Sequence, residues 1–472
     1  GAGKVLWVDA AAKAGGDGSA ARPFVSPVEA VSALRAESRG ARTAEVRVRP
    51  GTYFLPEGLV LDARDSRVRF VSDGDGDVVF TRAEKVTPGG TVRCDAKRAP
   101  DTEWYGGMKP HAPMFFYDDK WAVEARWPNR GWAMFKKDQV VDSGLRGRCL
   151  SGIAPDDPTA AGSLRFDSDR PARWDWANDD IRLCGYTTHD WSFEMLRLAS
   201  YTPSNRLVRL AGAAPYGLGG SSWSEYAGHR YYIVGPRSEL DAPGEYYYDR
   251  RTGKVDFIAP KGMWDFYAVT KEGPLVSLTG ASDVTFDGIR FEYAVGDGFA
   301  LSDCTNVVVR NCRVWNVGGR GFEILGGARC RVERTEIAAI GFGGLHIVAG
   351  DRPTLTRCDH VVEDCDINDF SRTCRTYAPA VRVQGVGVTV RGCKIHNAPH
   401  AGVLYGGNDH LFENNEVWGI LYESGDAGAF YTGRDPTSRG NVLRGNYVHD
   451  VGRPEKVLLG GGVANNGDQL FV

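Results

Sequence analysis

The chain has 472 residues and a formal net charge of -3, from 57 basic and 60 acidic residues. This balance lacks the basic excess of a nucleic-acid-binding protein, so we expect no nucleic-acid partner. No apolar run is long enough to cross a bilayer and the first residues do not form a signal peptide, so we expect no membrane partner. The length exceeds that of one ordinary compact domain unless the chain is a repeat protein.

Residues 1–86 are predicted to form an N-terminal cap and the first coils of the main body. Ser26, Pro27 and Glu29 indicate a helix start, because Ser caps the first turn and Pro suits the first helical position. One face of this helix should carry the apolar residues Val28, Val31 and Leu34. Apolar runs with period-two alternation predict strands at 5–8, 44–53, 59–61 and 68–71.

Neither the acidic clusters nor the ten cysteines predict a metal or a cofactor. Residues 73–77 have Asp at alternate positions but lack the later ligands of a calcium loop, so we interpret them as a turn. The cysteines contain no C-x-x-C pair that would suit zinc, and a chain of this size does not need a disulfide framework. Disulfides between neighbouring coils stay open as an alternative.

The middle of the chain, residues 87–238, loses the regular alternation and is denser in Trp, Arg and Pro. We interpret it as a separate, inserted β-rich domain. Turn and hairpin signals between 240 and 260 then return the chain to the main body, which is predicted to occupy 239–472.

A six-residue pattern recurs through this last part of the chain. Its positions are apolar, any, polar or Gly, small, any and apolar, at 286–291, 309–314, 332–337, 362–367, 390–395, 412–417 and 443–448. The pattern returns every roughly 20–30 residues with no helical period between copies. A strand that recurs once per turn of this length indicates a parallel β-solenoid, an all-β fold whose coils cover one another's apolar edges.

The fourth position of the pattern is predicted to form an internal column. It is occupied by Ile289, Cys312, Thr335, Cys365, Cys393, Asn415 and Asn446. Because stacked coils would place these side chains one above another, we interpret the cysteines as buried ladder residues rather than metal ligands or nucleophiles.

Two insertions mark one corner of the predicted solenoid. A second strand begins eight residues after most copies of the pattern, but the interval lengthens after Ile367 and Val417. The inserted loops, 370–377 and 419–426, leave equivalent corners two coils apart. They should form the walls of a cleft around the short turn at 396–400.

Polar residues are predicted to line this cleft. The floor and walls would carry His396, His400, Asp369, Arg372, Arg375, Glu423 and Asp426. Outward positions of the second strand would extend the surface with Glu323, His346, Arg382 and Tyr431, and Asp409 is a further substrate-binding candidate. Each residue alone has a structural alternative as a turn or solvated loop residue. Asp426 is the exception, because Gly425 and Gly428 flank it in a loop that also contains Glu423.

Several motifs spread over nearly the whole chain carry a resemblance to a known family. They are 15–24 (GGDGSAARPF), 50–53 (PGTY), 125–129 (ARWPN), 240–245 (LDAPGE) and, most specifically, 406–410 (GGNDH) and 423–435 (ESGDAGAFYTGRD). On these motifs the chain resembles the right-handed parallel β-helix glycoside hydrolases, most closely family 141 and more distantly family 120.

The resemblance implies a right-handed parallel β-helix with an inserted β-sandwich-like domain. It also implies secretion, or export to the periplasm, by a polysaccharide-degrading bacterium, and a carbohydrate substrate from plant or algal polysaccharide. Both α-L-fucosidase and xylanase activities occur among such relatives, and no cofactor is implied. Relatives have an acidic strand after the turn at 449–450, a candidate for the second catalytic carboxyl, whereas residues 451–462 here lack that motif.

We therefore predict a glycoside hydrolase that uses a pair of carboxyl groups. One is Asp426, and the candidates for its partner are Glu423, Asp435 and Asp450. One alternative is a polysaccharide lyase with His400 or Arg372 as its base, because such chemistry also occurs on β-solenoids. Another is a non-catalytic glycan-binding solenoid that uses the Trp-rich insertion.

Overall fold

The computed structural model of the chain describes residues 3–37, 42–95, 98–144, 161–219 and 229–452. The main body is a right-handed parallel β-helix, which confirms the predicted fold class. Each complete described coil passes through one strand of each of three parallel sheets, named here A, B and C in the order in which a coil meets them.

The strands of each sheet stack in register along the helix. Sheet A contains Lys4–Val8, Ala44–Val48, Val68–Ser72, Thr285–Asp287, Val308–Arg310, Arg331–Glu333, Val361–Glu363, Thr389–Arg391, Leu411–Glu413 and Val442–Arg444. Sheet B contains Gly51–Phe54, Val78–Thr81, Arg290–Ala294, Arg313–Val317, Glu336–Ile340, Asp366–Asn368, Lys394–His396, Glu416–Trp418 and Tyr447–His449. Sheet C contains Leu59–Asp62, Val276–Thr279, Phe299–Ser302, Phe322–Leu325, Leu345–Ala349, Val381–Gly385, Val403–Tyr405 and Phe430–Tyr431.

Apolar side chains that point between the sheets form a continuous core. The rings of Phe70 and Phe286 stack at 5.0 Å between centroids, and those of Phe299 and Phe322 at 4.8 Å. All four side chains are buried. Because side chains alternate between the two faces of a strand, a slip of one residue would expose this core, so the apolar pattern fixes the register.

The six-residue pattern was predicted to be one strand, and this is wrong. It comprises a strand of sheet A, a two-residue turn and a strand of sheet B, as at 285–287 and 290–294. The first turn residue has a positive φ in each described copy, for example 74° at Gly288 and 52° at Asn311. Gly, Asn and Asp adopt this left-handed conformation most readily, which explains the polar or Gly residue at the third position of the pattern.

The second turn residue points into the core and forms the predicted column. Cys312, Cys365 and Cys393 are 6%, 2% and 1% exposed, and their thiols are free. Farther along, Asn415 accepts a hydrogen bond from the N–H of Cys393 at 2.9 Å, and Asn446 accepts one from the N–H of Asn415 at 3.0 Å. The prediction of a buried ladder is therefore confirmed.

An α-helix, Pro27–Ala36, covers the N-terminal end of the core. Ser26 caps it by accepting a hydrogen bond from the N–H of Val28 at 3.1 Å. Val31 and Leu34 are buried as predicted, but Val28 is 43% exposed. The buried face runs through 27, 30, 31 and 34, and position 28 lies beside this stripe.

Short 3-10 helices occupy Ala63–Asp65, Lys137–Gln139, Arg170–Arg173, Pro203–Asn205 and Arg237–Glu239. Within the described ranges, no helix has the length and apolarity required to cross a membrane.

A mainly antiparallel insertion, which we call the antiparallel insertion, interrupts one coil between its sheet B strand, Val78–Thr81, and its sheet C strand, Val276–Thr279. Its largest sheet runs in the order Arg126–Trp127, His229–Val234, Arg182–Tyr186, Glu194–Thr202, Leu207–Ala213, Ala161–Arg165 and Val140–Asp142, with Ala133–Phe135 and Thr102–Trp104 paired alongside. A second sheet contains Lys120–Trp121, Met114–Tyr117, Phe266–Val269 and Glu84–Lys85, and a third contains Val123–Glu124, Glu245–Asp249 and Lys254–Phe257.

The antiparallel pairing of this insertion extends beyond the predicted limits of 87 and 238, because Glu84–Lys85 and Phe266–Val269 belong to it. The insertion folds back over the following coils. At Gly318 an added Cβ would lie 2.5 Å from the sulfur of Met114, so the absence of a side chain there allows close packing. Phe193 also packs with Phe342 and Cys374 of the main body.

Candidate functional site

Three additions to the β-helix leave it at the corner between sheets B and C. They are the antiparallel insertion and two loops, which we name the first corner loop (369–380) and the second corner loop (419–429). One coil with a short turn, 397–402, separates the two loops. Because stacked strands lie about 4.8 Å apart, the bases of these loops are about 10 Å apart.

The two corner loops begin with the same backbone path. The first and third residues of each have a positive φ, at Asp369 and Ser371 in one loop and at Gly419 and Leu421 in the other. Further along, the N–H groups of 373 and 374 both donate to the carbonyl of Gly341, and those of 423 and 424 both donate to the carbonyl of Pro399. Each loop is thus fixed on the coil before it.

The loops also end in the same way. Tyr377 has φ 57° and lies four residues before Val381, whereas Asp426 has φ 55° and lies four residues before Phe430. Val381 and Phe430 both pair with Val403 of the coil between them. Tyr377 and Asp426 therefore occupy equivalent positions two coils apart.

Glu423 joins both loops to the insertion. Arg375 Nε donates to Glu423 Oε1 at 3.0 Å and its Nη2 donates to Oε2, while the hydroxyl of Tyr186 donates to Oε1 at 2.9 Å. Arg230 of the insertion also donates to the Glu423 carbonyl. Burial alone would raise the pKa of Glu423, but the charge and hydrogen bonds of Arg375 outweigh it, and the pKa lies below its ordinary value. Glu423 is therefore an ionised, largely buried group that holds these elements together.

Asp426, by contrast, is exposed, and its carboxylate makes no hydrogen bond or ion pair with another described residue. Burial is the main cause of the raised pKa values of Tyr377 and Tyr431, and the charge of Asp426 adds to both. Burial lowers the pKa of His189, and the charge of Asp426 opposes that effect. The Asp426 carboxylate thus lies within electrostatic reach of three aromatic side chains and is open to a ligand.

An aromatic wall, defined as Tyr105, His189, Trp191, Tyr216 and Tyr377, borders Asp426. The rings of Tyr105 and Tyr377 lie 4.4 Å apart, and His189 stacks on Trp191 at 4.7 Å. The members of the wall are half-buried, and all except Tyr377 come from the insertion. Aromatic faces beside a carboxylate offer an apolar surface and a polar group together, which suits an amphipathic ring such as a sugar.

The outer face of sheet C continues this surface. Glu323, His346 and Arg382 are register neighbours on successive strands, and Leu404 separates them from Tyr431. Glu323 Oε1 lies 3.4 Å from His346 Nδ1 and accepts a hydrogen bond from Arg320 at 3.1 Å. The hydrogen bond with His346 is the main cause of the lowered pKa of Glu323.

Three of the predicted acids are turn residues. Asp369, Asp409 and Asp450 have φ values of 48°, 58° and 50°. Their equivalents in other coils include Asn397, Gly419 and Gly387, which also have positive φ. Asp450 contacts His449 Nδ1 at 2.7 Å rather than Asp426. The structure gives these acids a backbone role in repeated turns, since Asp tolerates the left-handed conformation.

Asp435 and Arg372 have structural partners. Asp435 pairs with Arg352 at 2.8 Å and accepts a hydrogen bond from the N–H of Thr437 at 2.9 Å. The pKa of Asp435 is lowered to about 2, and the hydrogen bond with the Thr437 side chain contributes most to this shift. Arg372 pairs with Asp369 and lies over the ring of Trp121.

The two predicted floor histidines lie in different places. His396 is on the outer face of sheet B, 3.0 Å from Asp366 and stacked on Trp418 at 4.2 Å, so its predicted place on the cleft floor is wrong. It is the last residue of the strand Lys394–His396, before the turn that leads to sheet C. His400 lies beneath Tyr377, 1% exposed, and its Nδ1 accepts the Tyr377 N–H at 3.1 Å.

The sequence-based prediction missed the aromatic wall and Arg320. Tyr377 could have been found by aligning the ends of the two corner loops on their sheet C strands. Tyr105, His189, Trp191 and Tyr216 could not, because their place beside Asp426 depends on how the insertion folds back. In the described residues no group of three or more His, Cys, Asp or Glu is arranged to bind a metal. Most of the segment that replaces the acidic strand of relatives, 453–462, lies outside the described residues.

A family profile and one solved structure agree with the fold. A family profile described as "Right handed beta helix region" matches residues 272–360. A solved structure described as "Glycoside hydrolase" aligns with TM-score 0.64 and 15% identity, over 98% of this chain and 99% of that one. The complex of XylC with xylose aligns with TM-score 0.43 and 9% identity, over 95% of this chain and 72% of that one. No curated protein sequence matches the chain.

Proposed function

We propose that the protein is a carbohydrate-active enzyme that hydrolyses glycosidic bonds of plant or algal polysaccharide, with Asp426 as a catalytic carboxyl. The observation that carries this proposal is the exposed Asp426 carboxylate beside the aromatic wall, with no hydrogen-bond or ion-pair partner among the described residues. A sugar ring between them would place its glycosidic oxygen or anomeric carbon at the carboxyl group. The likeness in fold to a glycoside hydrolase supports the proposal.

In such a reaction the bond between the anomeric carbon and the leaving oxygen breaks. The leaving oxygen gains a proton, and a hydroxyl from water ends on the anomeric carbon. Glu423 does not suit the proton-donor role, because its pairing with Arg375 keeps it ionised. We assign Glu423 a positioning role, since it fixes the loop that carries Asp426. Asp435 and Asp450 are assigned no catalytic role because each is engaged in a turn.

Polysaccharide lyase activity is the second candidate, and Arg382 is the observation that favours it. A lyase removes the proton beside a uronate carboxylate and breaks the neighbouring C–O bond, and a guanidinium that neutralises the carboxylate assists that step. Arg382 makes no ion pair with a described acid, and His346 is its register neighbour. His400 is a poor candidate for the base, because it is buried beneath Tyr377.

The test is a screen of the purified protein against fucose-, xylose- and galactose-bearing aryl glycosides and against neutral and acidic polysaccharides. Hydrolysis releases saturated reducing ends, whereas a lyase releases unsaturated products that absorb in the near ultraviolet. We expect saturated products, and we expect them to disappear in Asp426→Asn. Unsaturated products would establish the second candidate, and binding without cleavage would exclude both in favour of a glycan-binding protein.

A further inference from the structure

A small cavity of about 110 Å³ lies between the insertion and the outer face of sheet C. Tyr105 and Met108 line it from the insertion, and Arg320, His346 and Arg382 line it from the β-helix. Tyr377 borders both this cavity and the surroundings of Asp426. A single oligosaccharide can therefore contact both the cavity and Asp426.

Arg382 differs from the other outward arginines on the strands of sheets A, B and C. Arg310 pairs with Asp287 at 2.8 Å, Arg313 with Glu336 at 2.8 Å and Arg391 with Glu363 at 2.9 Å, in each case an acid of a neighbouring coil. The guanidinium of Arg382 donates to the carbonyl of Tyr377 at 3.4 Å and pairs with no described acid. Keeping a half-buried cation without a counter-ion costs free energy, which is typical of a site that awaits an anionic ligand.

The other charged groups around the cavity do not pair with the Arg382 guanidinium. Arg320 faces the same space. Burial is the main cause of the lowered pKa of Arg382, and the charge of Arg320 lowers that pKa further. The Glu323 carboxylate is shared between Arg320 and His346. Asp297 accepts the backbone N–H of Arg320 at 2.6 Å, and burial raises the pKa of its carboxyl group. Glu323 and Asp297, the two carboxyl groups near the cavity, thus both contact Arg320, and neither pairs with Arg382.

We propose that this cavity binds the anionic substituent of an acidic sugar unit, either a carboxylate or a sulfate ester, and that the polysaccharide substrate is therefore acidic. The proposal rests on the proposed function for the position of the sugar relative to Asp426. The planar fork of Arg382 matches the paired oxygens of either group. The volume suits one such substituent and the edge of its ring, whereas a pocket for a whole ligand of drug size measures about 300 Å³ or more.

The test measures binding in the Asp426→Asn variant, so that no turnover is required. The probes are trigalacturonate, its carboxyl-reduced counterpart and a 6-sulfated galactotriose, titrated by calorimetry at low and high salt. We expect one anionic probe to bind at least about 10-fold tighter than the neutral one, as a charge-assisted hydrogen bond would give. We expect the difference to shrink with salt. The probe that binds tighter identifies the carboxylate or the sulfate as the natural group.

Adding Arg382→Gln to this variant should abolish the preference while leaving affinity for the neutral probe within about two-fold, and Arg382→Lys should restore part of it. Arg310→Gln is the matched control, because Arg310 lies on sheet A and pairs with Asp287. Equal binding of all three probes, or an undiminished preference in a folded Arg382→Gln protein, would overturn the proposal. A wild-type protein that shows the preference but cleaves nothing would contradict the proposed function and leave this binding site supported.

Discussion

The first and second corner loops have the same backbone path but carry different side chains at the same place. Both start with left-handed residues, both rest on the carbonyl of the preceding coil, and both reach sheet C four residues after a further left-handed residue. In the first loop that residue is Tyr377, packed against Tyr105. In the second it is Asp426, which is exposed. The repeat thus gives two equivalent loops, one of which places Tyr377 in the aromatic wall while the other presents Asp426, the proposed catalytic carboxyl.

The largest effect that would test this contrast is loss of turnover in Asp426→Asn. Asn keeps the shape of Asp and accepts the left-handed conformation, so the loop should keep its path while losing its proton chemistry. We expect turnover to fall by about three orders of magnitude or more, with the melting temperature nearly unchanged. Steady-state kinetics and thermal unfolding measure the two quantities.

Asp435→Asn is the control for this substitution, because Asp435 stabilises a turn through its ion pair with Arg352 and its hydrogen bond with Thr437. It should retain most of the turnover. Turnover close to that of the wild type in Asp426→Asn would show that the second corner loop carries no reacting group.

Glu423→Gln tests whether the second loop depends on the first. The substitution removes the charge that pairs with Arg375 and leaves a buried guanidinium unpaired. Breaking a buried pair in this way should lower the free energy of unfolding by about 3 kcal/mol, which urea titration measures. Turnover should fall as well, because Asp426 lies on the loop that Glu423 fixes.

The control is Glu416→Gln, whose partner His449 lies on the exposed face of sheet B. There we expect a change of less than about 0.5 kcal/mol. If Glu423→Gln is no more destabilising than Glu416→Gln, the two loops are not held together through this pair.

The short turn between the loops gives a pH-dependent prediction. Burial lowers the pKa of His400 to about 3, so the folded protein keeps it neutral while the unfolded chain protonates it near its ordinary pKa. Below about pH 6.5 the unfolded state binds more protons, and stability is lost as the pH falls toward the folded pKa. Between pH 8 and pH 5 this one group should cost about 2 kcal/mol, measured by urea unfolding across that range.

His400→Gln should reduce this acid-dependent loss even if it lowers stability at neutral pH. His449→Gln should not reduce the loss. The hydrogen bond with Asp450 is the main cause of the raised pKa of His449. A raised pKa stabilises the folded protein at low pH, which is the opposite of the effect of His400. An equally steep loss in His400→Gln and in the wild type would mean that other groups govern acid stability.

The sequence indicated the coils, the buried column and the corner loops because each depends on spacing along the chain. Cys312, Cys365 and Cys393 were placed correctly by the repeat alone. The repeat did not separate Asp426 from the turn acids Asp369, Asp409 and Asp450, because all four have a positive φ and differ only in surroundings that a one-letter pattern does not show. The wall from the insertion was also out of reach, since contacts such as Tyr105 with Tyr377 join residues far apart in the chain.

The smallest expected effect concerns Tyr377, the counterpart of Asp426 on the first corner loop. Its hydroxyl lies near that of Tyr431, and burial raises its pKa, so the phenol stays protonated and is able to donate a hydrogen bond. Tyr377→Phe removes this hydroxyl but keeps the ring packed on Tyr105 and His400. Loss of one hydrogen bond in the site should lower kcat about 10-fold, with KM and melting temperature little changed. Tyr105→Phe, which loses only a hydroxyl contact with Tyr216, should have a smaller effect. A loss in Tyr377→Phe as large as that in Asp426→Asn would reverse the contrast and make the first corner loop the one that carries the reacting group.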